Sequence, residues 1–275
     1  IYPTPTPYFQ PENPRLTGRN WESCKNSCFP PPEGLTIELP PGGYLITASR
    51  GPEYSMASEI IEVVEETSTC LYFTLDKVID TSGWISIDPH LHTLNSDGRV
   101  TIEERIKSVI AEGIQVAVAT DHNYITDYRP ALERLGLTNQ LVVISGNEVT
   151  HSGLIHFNNY PLIPQPSLPL KGAIDATKDN VSELFAASRH QAPQGIIQVN
   201  HPRSGSIGYF NTHHLDPEKG ESVREDFDFN FDVMEGMNGP FPRPNNAQVI
   251  KDWFNFLNKG YYYPLVGSSD SHTID

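Results

Sequence analysis

The chain has 275 residues, a formal net charge of −15, and 37% hydrophobic against 19% charged residues; this suits a globular protein of one large domain or two smaller ones. So negative a surface repels polyanions, which argues against nucleic acid as a bulk partner. No apolar run approaches the ~18–20 residues that span a bilayer, which excludes a membrane-spanning helix.

Ten of the 24 prolines fall in residues 1–42. Proline blocks helix and central strand, so this stretch reads as an extended arm. Within it, Cys24 and Cys28 are close enough to bridge. A bridge points to a periplasmic or secreted protein, and two reduced thiols point to the cytoplasm. Cys70 lies in an apolar run and is expected in the core. Short strand-like runs follow: LTIEL (35–39), GYLITASRG (43–51), SEIIEVVEE (58–66) and CLYFTLDKVI (70–79). Turn residues such as PPGG separate them, so residues 1–83 are expected to hold the arm and a small antiparallel, sandwich-like β-module.

Beyond Gly83 the texture changes to strands alternating with helices. The strands are WISID (84–88), QVAVAT (115–120), LVVISGNE (141–148), LIHFN (154–158), GIIQVN (195–200), FDVMEG (231–236) and YYPLVGSSD (262–270). TIEERIKSVIAEG (101–113) has a Thr cap, early acids, helical apolar spacing and a closing glycine. VSELFAASRH (181–190) and NAQVIKDWFNFLNKG (246–260) read the same way. Apolar strands alternating with helices predict an α/β domain over 84–275 with a buried parallel sheet, closed as a distorted barrel. The fourth connection is too short for a helix, so regular eightfold winding is not expected.

The chemistry sits at the strand ends. HLHTLNSDG supplies His90, His92 and Asp97; TDHN supplies Asp121 and His122; GNE supplies Glu148; LIHFN supplies His156. NHPR supplies His201 and Arg203, MEGMN supplies Glu235 and Asn238, and SSDSH supplies Asp270 and His272. In an α/β barrel such positions share one rim. A single H-x-H means little, because a histidine near a strand end is more often structural than a ligand. The set is different. Burying so many ionisable groups side by side costs several kcal/mol per ion unless they are paired or ligate metal. Imidazole and carboxylate donors without thiolate suit Zn²⁺, Mn²⁺ or Fe²⁺. About nine donors exceed one tetrahedral site and fit two or three ions sharing a carboxylate, for which Glu148 is the natural bridge. Set against Asp97, Glu148 and Asp270, three divalent ions leave a pocket near about +3, and two leave about +1. A small anionic ester is thus drawn to this spot in a negative protein.

These motifs together resemble the PHP (polymerase and histidinol phosphatase) superfamily, over about residues 84–275. The segment PPGGYLITASRGPEYS leading into DTSGWISIDPHLH looks like the subgroup in which a β-module precedes the barrel, a group that includes carbamate-ester hydrolases. The resemblance implies a distorted (β/α)7 TIM-like barrel with a binuclear or trinuclear metal centre. It gives the first ion to His90, His92, Glu148 and Asp270. The second goes to Glu148 and His201 with His156, for which His151 competes, and the third to His122, His272 and Asp97. Some relatives carry a histidine where this chain has Asp97, which leaves Asp97 as a ligand or as a residue orienting one. The implied reaction is phosphoester hydrolysis by a metal-bridging hydroxide, with carboxyl or carbamate ester or amide hydrolysis as the alternative and a non-catalytic, metal-stabilised binding domain as the third reading. Arg203 is expected to clamp a phosphoryl oxygen. His213, with His214, is a candidate leaving-group acid on the stretch 202–228, read as long enough to fold over the rim.

Overall fold

The computed structural model describes residues 27–31, 33–178, 180–239 and 244–274. They form a mixed α/β fold with a two-stranded, a three-stranded and a five-stranded sheet. The first is an antiparallel hairpin of β1 (Gly42–Ala48) and β2 (Ala57–Val63). LTIEL forms no strand, and CLYFTLDKVI contributes only a bridge between Tyr54 and Lys77. Both runs have strand composition, but neither finds a ladder partner, and two strands alone bury little. Cys70 is exposed rather than in a core. Cys28 is exposed too, while the other half of its expected bridge, Cys24, lies outside the described residues.

The three-stranded sheet is parallel: β3 (Ile87–Leu91), β4 (Val116–Ala119) and β5 (Val142–Ser145), in that order. Between β3 and β4 runs α1 (Ile102–Ala111), started by a capping box in which Thr101 and Glu104 satisfy each other's backbone N–H. The short helix α2 (Arg129–Arg134) precedes β5. Ile106, Val109, Ala131 and Leu132 from these helices share a core with Leu91, Ala117 and Ala119.

The five-stranded sheet has the order β10-β9-β8-β7-β6, with β6 (Asn147–His151), β7 (Ile155–Tyr160), β8 (Ile196–Val199), β9 (Val233–Asn238) and β10 (Leu265–Ser268). Here the expectation of an all-parallel sheet fails, because β7 runs antiparallel to both β6 and β8. Residues 152–154 join β6 to β7, and so short a link permits only a hairpin. Helices α3 (Val181–Gln191), α4 (Tyr209–Thr212) and α5 (Pro244–Asn258) cover this sheet. The stretch 202–228 is not a free lid. Tyr209, Phe210, Leu215 and Phe227 are buried in the same core as Phe157, Phe185 and Phe256, so its own apolar residues anchor it.

Among the described residues the two sheets meet on both sides. The chain turns from β5 into β6 at Gly146, where a Cβ would come within 3.0 Å of Tyr160 Cβ and 3.2 Å of the Ala119 carbonyl oxygen. Glycine alone allows that approach. On the other side, Leu91 bridges Ser271 just beyond β10.

Candidate metal centre

Strand alternation puts His90 and His92 on one face at the end of β3, both fully buried. The following loop folds back tightly: a Cβ at Gly98 would lie 2.7 Å from Thr93 N. Buried Asp121 fixes that loop, accepting hydrogen bonds from Thr93 N and Thr93 Oγ1 at 2.7 Å and from Ser96 Oγ at 2.7 Å. Asp97 is thereby turned toward His272, with its Oδ1 3.1 Å from Nε2, and toward His122, with its Oδ2 3.4 Å from Nε2.

Glu148 of β6 is the centre of the arrangement. Its Oε1 lies 3.4 Å from His90 Nε2, 3.3 Å from His156 Nδ1 and 3.3 Å from His201 Nε2. Its Oε2 lies 3.5 Å from His92 Nε2 and 2.8 Å from His122 Nδ1. Asp270 Oδ1 stands 3.2 Å from His90 Nε2 and 3.1 Å from His92 Nε2. His201 and Asp270 take positive φ angles, 27° and 51°, conformations that non-glycine residues hold at a cost and that cluster at functional sites.

Among the described residues four groups of donor atoms emerge: His90, His92 and Asp270; His90, Glu148 and His201; His122, Glu148 and His156; and His92, Asp97, His122 and His272. Together they comprise all nine residues singled out as ligands from the sequence. His156 joins them, whereas its competitor His151 joins none of the four. Exposure rises outward, from 0% for the side chains of His90, His92 and Glu148 to 22% for His122, 34% for His272 and 53% for Asp97.

These donors fit divalent cations. His90 Nε2, His92 Nε2 and His156 Nδ1 are buried and have no hydrogen-bond partner. They stand 3.1–3.5 Å from carboxylate oxygens. Donor atoms about 2.1 Å from a common ion are themselves separated by roughly 3.0–3.5 Å. Electrostatics agree. Burial raises the Glu148 carboxyl, but His122 and His90 outweigh it and hold the group well below its usual range. Burial lowers His122, yet Glu148 and Asp97 push it up to about 10. His92, buried and flanked by His122 and His90, is pushed down to about 4. Glu148 pushes His90 and His201 up as well, against the effect of their burial, so without ions protonated imidazoles balance the buried carboxylates, and bound cations would take the place of those protons.

A further layer orients the donors. Glu235 Oε1 is 2.8 Å from His90 Nδ1, and Asn238 Nδ2 donates to Glu235 Oε2 at 3.0 Å and to Asp270 Oδ2 at 3.0 Å. Asn200 Nδ2 donates to Glu148 Oε1 at 2.9 Å, and Thr150 Oγ1 sits 2.5 Å from His122 Nδ1. Asn200 and Thr150 were not expected; the only cue was their place beside His201 and Glu148. Glu235→Gln is expected to weaken ion affinity by about 10–100-fold while ions still bind. Titration with a chromophoric chelator measures it, and an unchanged affinity would deny Glu235 its orienting role.

Two expectations are corrected. Arg203 is no phosphoryl clamp. It is 9% exposed, and its Nε and Nη2 each donate to the Asp252 carboxylate of α5 at 2.6 Å. Nη2 also donates to the Leu215 carbonyl and Nη1 to Asn211 Oδ1. Arg203 therefore ties the loop after β8 to α5. Arg203→Met leaves Asp252 buried and unpaired, at a cost of about 3–5 kcal/mol in denaturant unfolding, with ion content of the folded protein unchanged. Loss of activity at wild-type stability would restore the clamp. His213 is likewise no rim acid. It is 1% exposed, its ring lies 4.6 Å from that of Tyr209, and burial lowers its pKa. Only His214 beside it is exposed.

No protein-family model and no curated protein matches the chain. Several solved chains resemble it, two of which follow. A two-domain protein from Bacteroides vulgatus containing a predicted PHP-like metal-dependent phosphoesterase is 19% identical, over 68% of this chain and 52% of its own, with a TM-score of 0.44. A protein from Bifidobacterium adolescentis, itself named a metal-dependent phosphoesterase only by prediction, is 14% identical over 68% of this chain and 88% of its own, with a TM-score of 0.41. The chain thus spans about half the length of the first. The reading of the site rests on its own geometry.

Proposed function

We propose that this chain is a metal-dependent hydrolase acting on a small phosphate mono- or diester. The observation that carries the reading is the convergence of nine imidazole and carboxylate side chains on one cluster around Glu148. His90, His92, Glu148 and Asp270 would hold one ion, Glu148, His156 and His201 a second, and Asp97, His122 and His272 a third. The nitrogen and oxygen donors suit Zn²⁺, Mn²⁺ or Fe²⁺. Ions so held supply Lewis acidity and a water that ionises near neutral pH.

The chain's own residues do the rest. Glu148 spreads one negative charge over the cluster, and Glu235 fixes the ring of His90. The most exposed donors, Asp97, His122 and His272, mark the side from which substrate arrives. The net positive charge of a loaded cluster favours a small anionic ester over neutral competitors, and the net charge of −15 on the chain disfavours bulk polyanions. No nucleic acid or membrane partner is proposed. No helix of the described residues is long and apolar enough to cross a membrane. We take residues 84–275 as one catalytic domain and 1–83 as the arm and β-module. In the catalytic domain we take the two sheets as a distorted barrel, seven-stranded when β5 and β6 are counted as one strand bent at Gly146; that bend and the Leu91–Ser271 bridge support the reading.

The engagement of Arg203 with Asp252 keeps a second reading in play. With that clamp gone, a carboxyl or carbamate ester or an amide fits the same ions. Protein loaded with zinc, manganese or iron is to be assayed on p-nitrophenyl phosphate, bis-p-nitrophenyl phosphate and p-nitrophenyl acetate. Turnover of a phosphoester is expected. Turnover of the acetate alone would reject phosphoester specificity, and turnover of none, with folding lost on chelation, would make the cluster a structural scaffold.

A further inference from the structure

We propose that Arg105 is a positioning residue that clasps the segment carrying Asp270 and His272 onto β3, and that the outermost ion depends on this clasp. The inference rests on the metal-centre reading above. Arg105 lies on the inner face of α1 at 2% exposure, and among the described residues it forms no ion pair. A buried cation without a carboxylate partner is costly unless its donors are otherwise satisfied. All the acceptors of Arg105 belong to two ligand-bearing segments. Nε donates to the His92 carbonyl at 3.1 Å. Nη1 donates to Ser271 Oγ at 3.0 Å and to the Thr273 carbonyl at 3.1 Å. Nη2 donates to the Ser271 carbonyl at 2.8 Å.

These acceptors straddle a seam between sheets. β3 and β10 belong to different sheets, joined here by the Leu91–Ser271 bridge and a few backbone bonds. His92 N donates to the Ser271 carbonyl at 3.1 Å, Arg99 N to the His272 carbonyl at 2.7 Å, and Asp270 N to the His90 carbonyl at 3.0 Å. The Ser271 carbonyl therefore takes both His92 N and Arg105 Nη2. His92 and Asp97 stand on one side of the seam, Asp270 and His272 on the other.

The first and third ions would both draw on the two sides, the first through His92 and Asp270 and the third through Asp97 and His272, but the first would also keep Glu148, which lies in the other sheet on β6. The second would not, because Glu148, His156 and His201 lie on or just beyond β6, β7 and β8, which pair in one ladder away from Arg105. Arg105 has no exposed donor to offer a substrate. Its effect on the site passes through the backbone of residues 92 and 271–273.

The test compares wild type, Arg105→Lys and Arg105→Met by two readouts: ions per molecule after gel filtration against a weak chelator, and hydrogen exchange at the amides of His92 and Arg99. Arg105→Met is expected to lose the outermost ion and keep the second. Protection of those two amides is expected to fall by about tenfold or more, the scale of one lost charge-assisted bond, while amides of β7 and β8 keep theirs. Arg105→Lys, which retains a cation but not the fork, is expected to fall between. Wild-type ion content in Arg105→Met, or unchanged protection at His92 and Arg99, overturns the proposal. If Arg105→Met does not fold, Arg105→Lys decides: uniform loss of every ion, or of none, overturns it. A wild-type protein that binds no ion would sink the metal reading instead, and the exchange measurements would still decide whether Arg105 closes the seam.

Discussion

Replacing Glu148 by glutamine is expected to strip the protein of at least two ions and to lower kcat/KM by about 10³-fold or more. Five imidazoles lie within 3.5 Å of its two carboxylate oxygens. Glutamine keeps the shape and removes both the charge and one of the oxygens, so it cannot join two cations. The ions contribute several kcal/mol of charge stabilisation to such a reaction. At about 1.4 kcal/mol per decade, losing roughly 4 kcal/mol gives the stated factor. Elemental analysis and steady-state kinetics on the same sample check it. A Glu148→Gln protein with wild-type ion content and rate would mean that Glu148 is buried for structural reasons only.

Removing the ions is expected to lower the melting temperature by a large step. An ion present at about a thousand times its dissociation constant stabilises the folded state by about 4 kcal/mol. For a domain of this size each kcal/mol moves Tm by roughly 2–4 °C, so one ion is worth roughly 8–16 °C. Without ions, Glu148, Asp270 and the surrounding imidazoles must share protons in a buried space, which burial disfavours. The gap between loaded and stripped protein should narrow toward acid pH, because ligating imidazoles must be neutral and protons compete with the ions. Scanning calorimetry with and without a strong chelator, from pH 5 to 8, reads this directly. Coincident melting curves throughout that range would contradict it.

The site was more legible in the sequence than the fold around it, for a physical reason. His90, His92, His122, Glu148, His201 and Asp270 each sit at or just past an apolar run, and strand ends are where a sheet delivers side chains to one rim. That rule needs only local pattern. The direction of β7 is also local, since a link too short for a crossover forces a hairpin, yet the apolar run LIHFN reads alike in either direction. Arg203 failed differently. Its partner Asp252 lies 49 positions away on α5, and nothing in NHPR reveals that the guanidinium is engaged. The stretch 202–228 reads as a loop long enough to fold over the rim because its anchors, Tyr209, Phe210, Leu215 and Phe227, are spaced among charged residues. In the β-module, LTIEL and CLYFTLDKVI have strand composition, but a strand also needs a neighbour. In the sequence Arg105 is one more residue of the helical stretch 101–113, and only the tertiary structure shows the carbonyls it faces.

The account depends on cations gathering these side chains, and anomalous diffraction tests that most directly. Crystals grown with zinc and with manganese, measured on both sides of each absorption edge, should show two or three peaks bounded by His90, His92, Asp97, His122, Glu148, His156, His201, Asp270 and His272, one of them beside each Glu148 oxygen. Maps without an anomalous peak among these residues at saturating metal would contradict it.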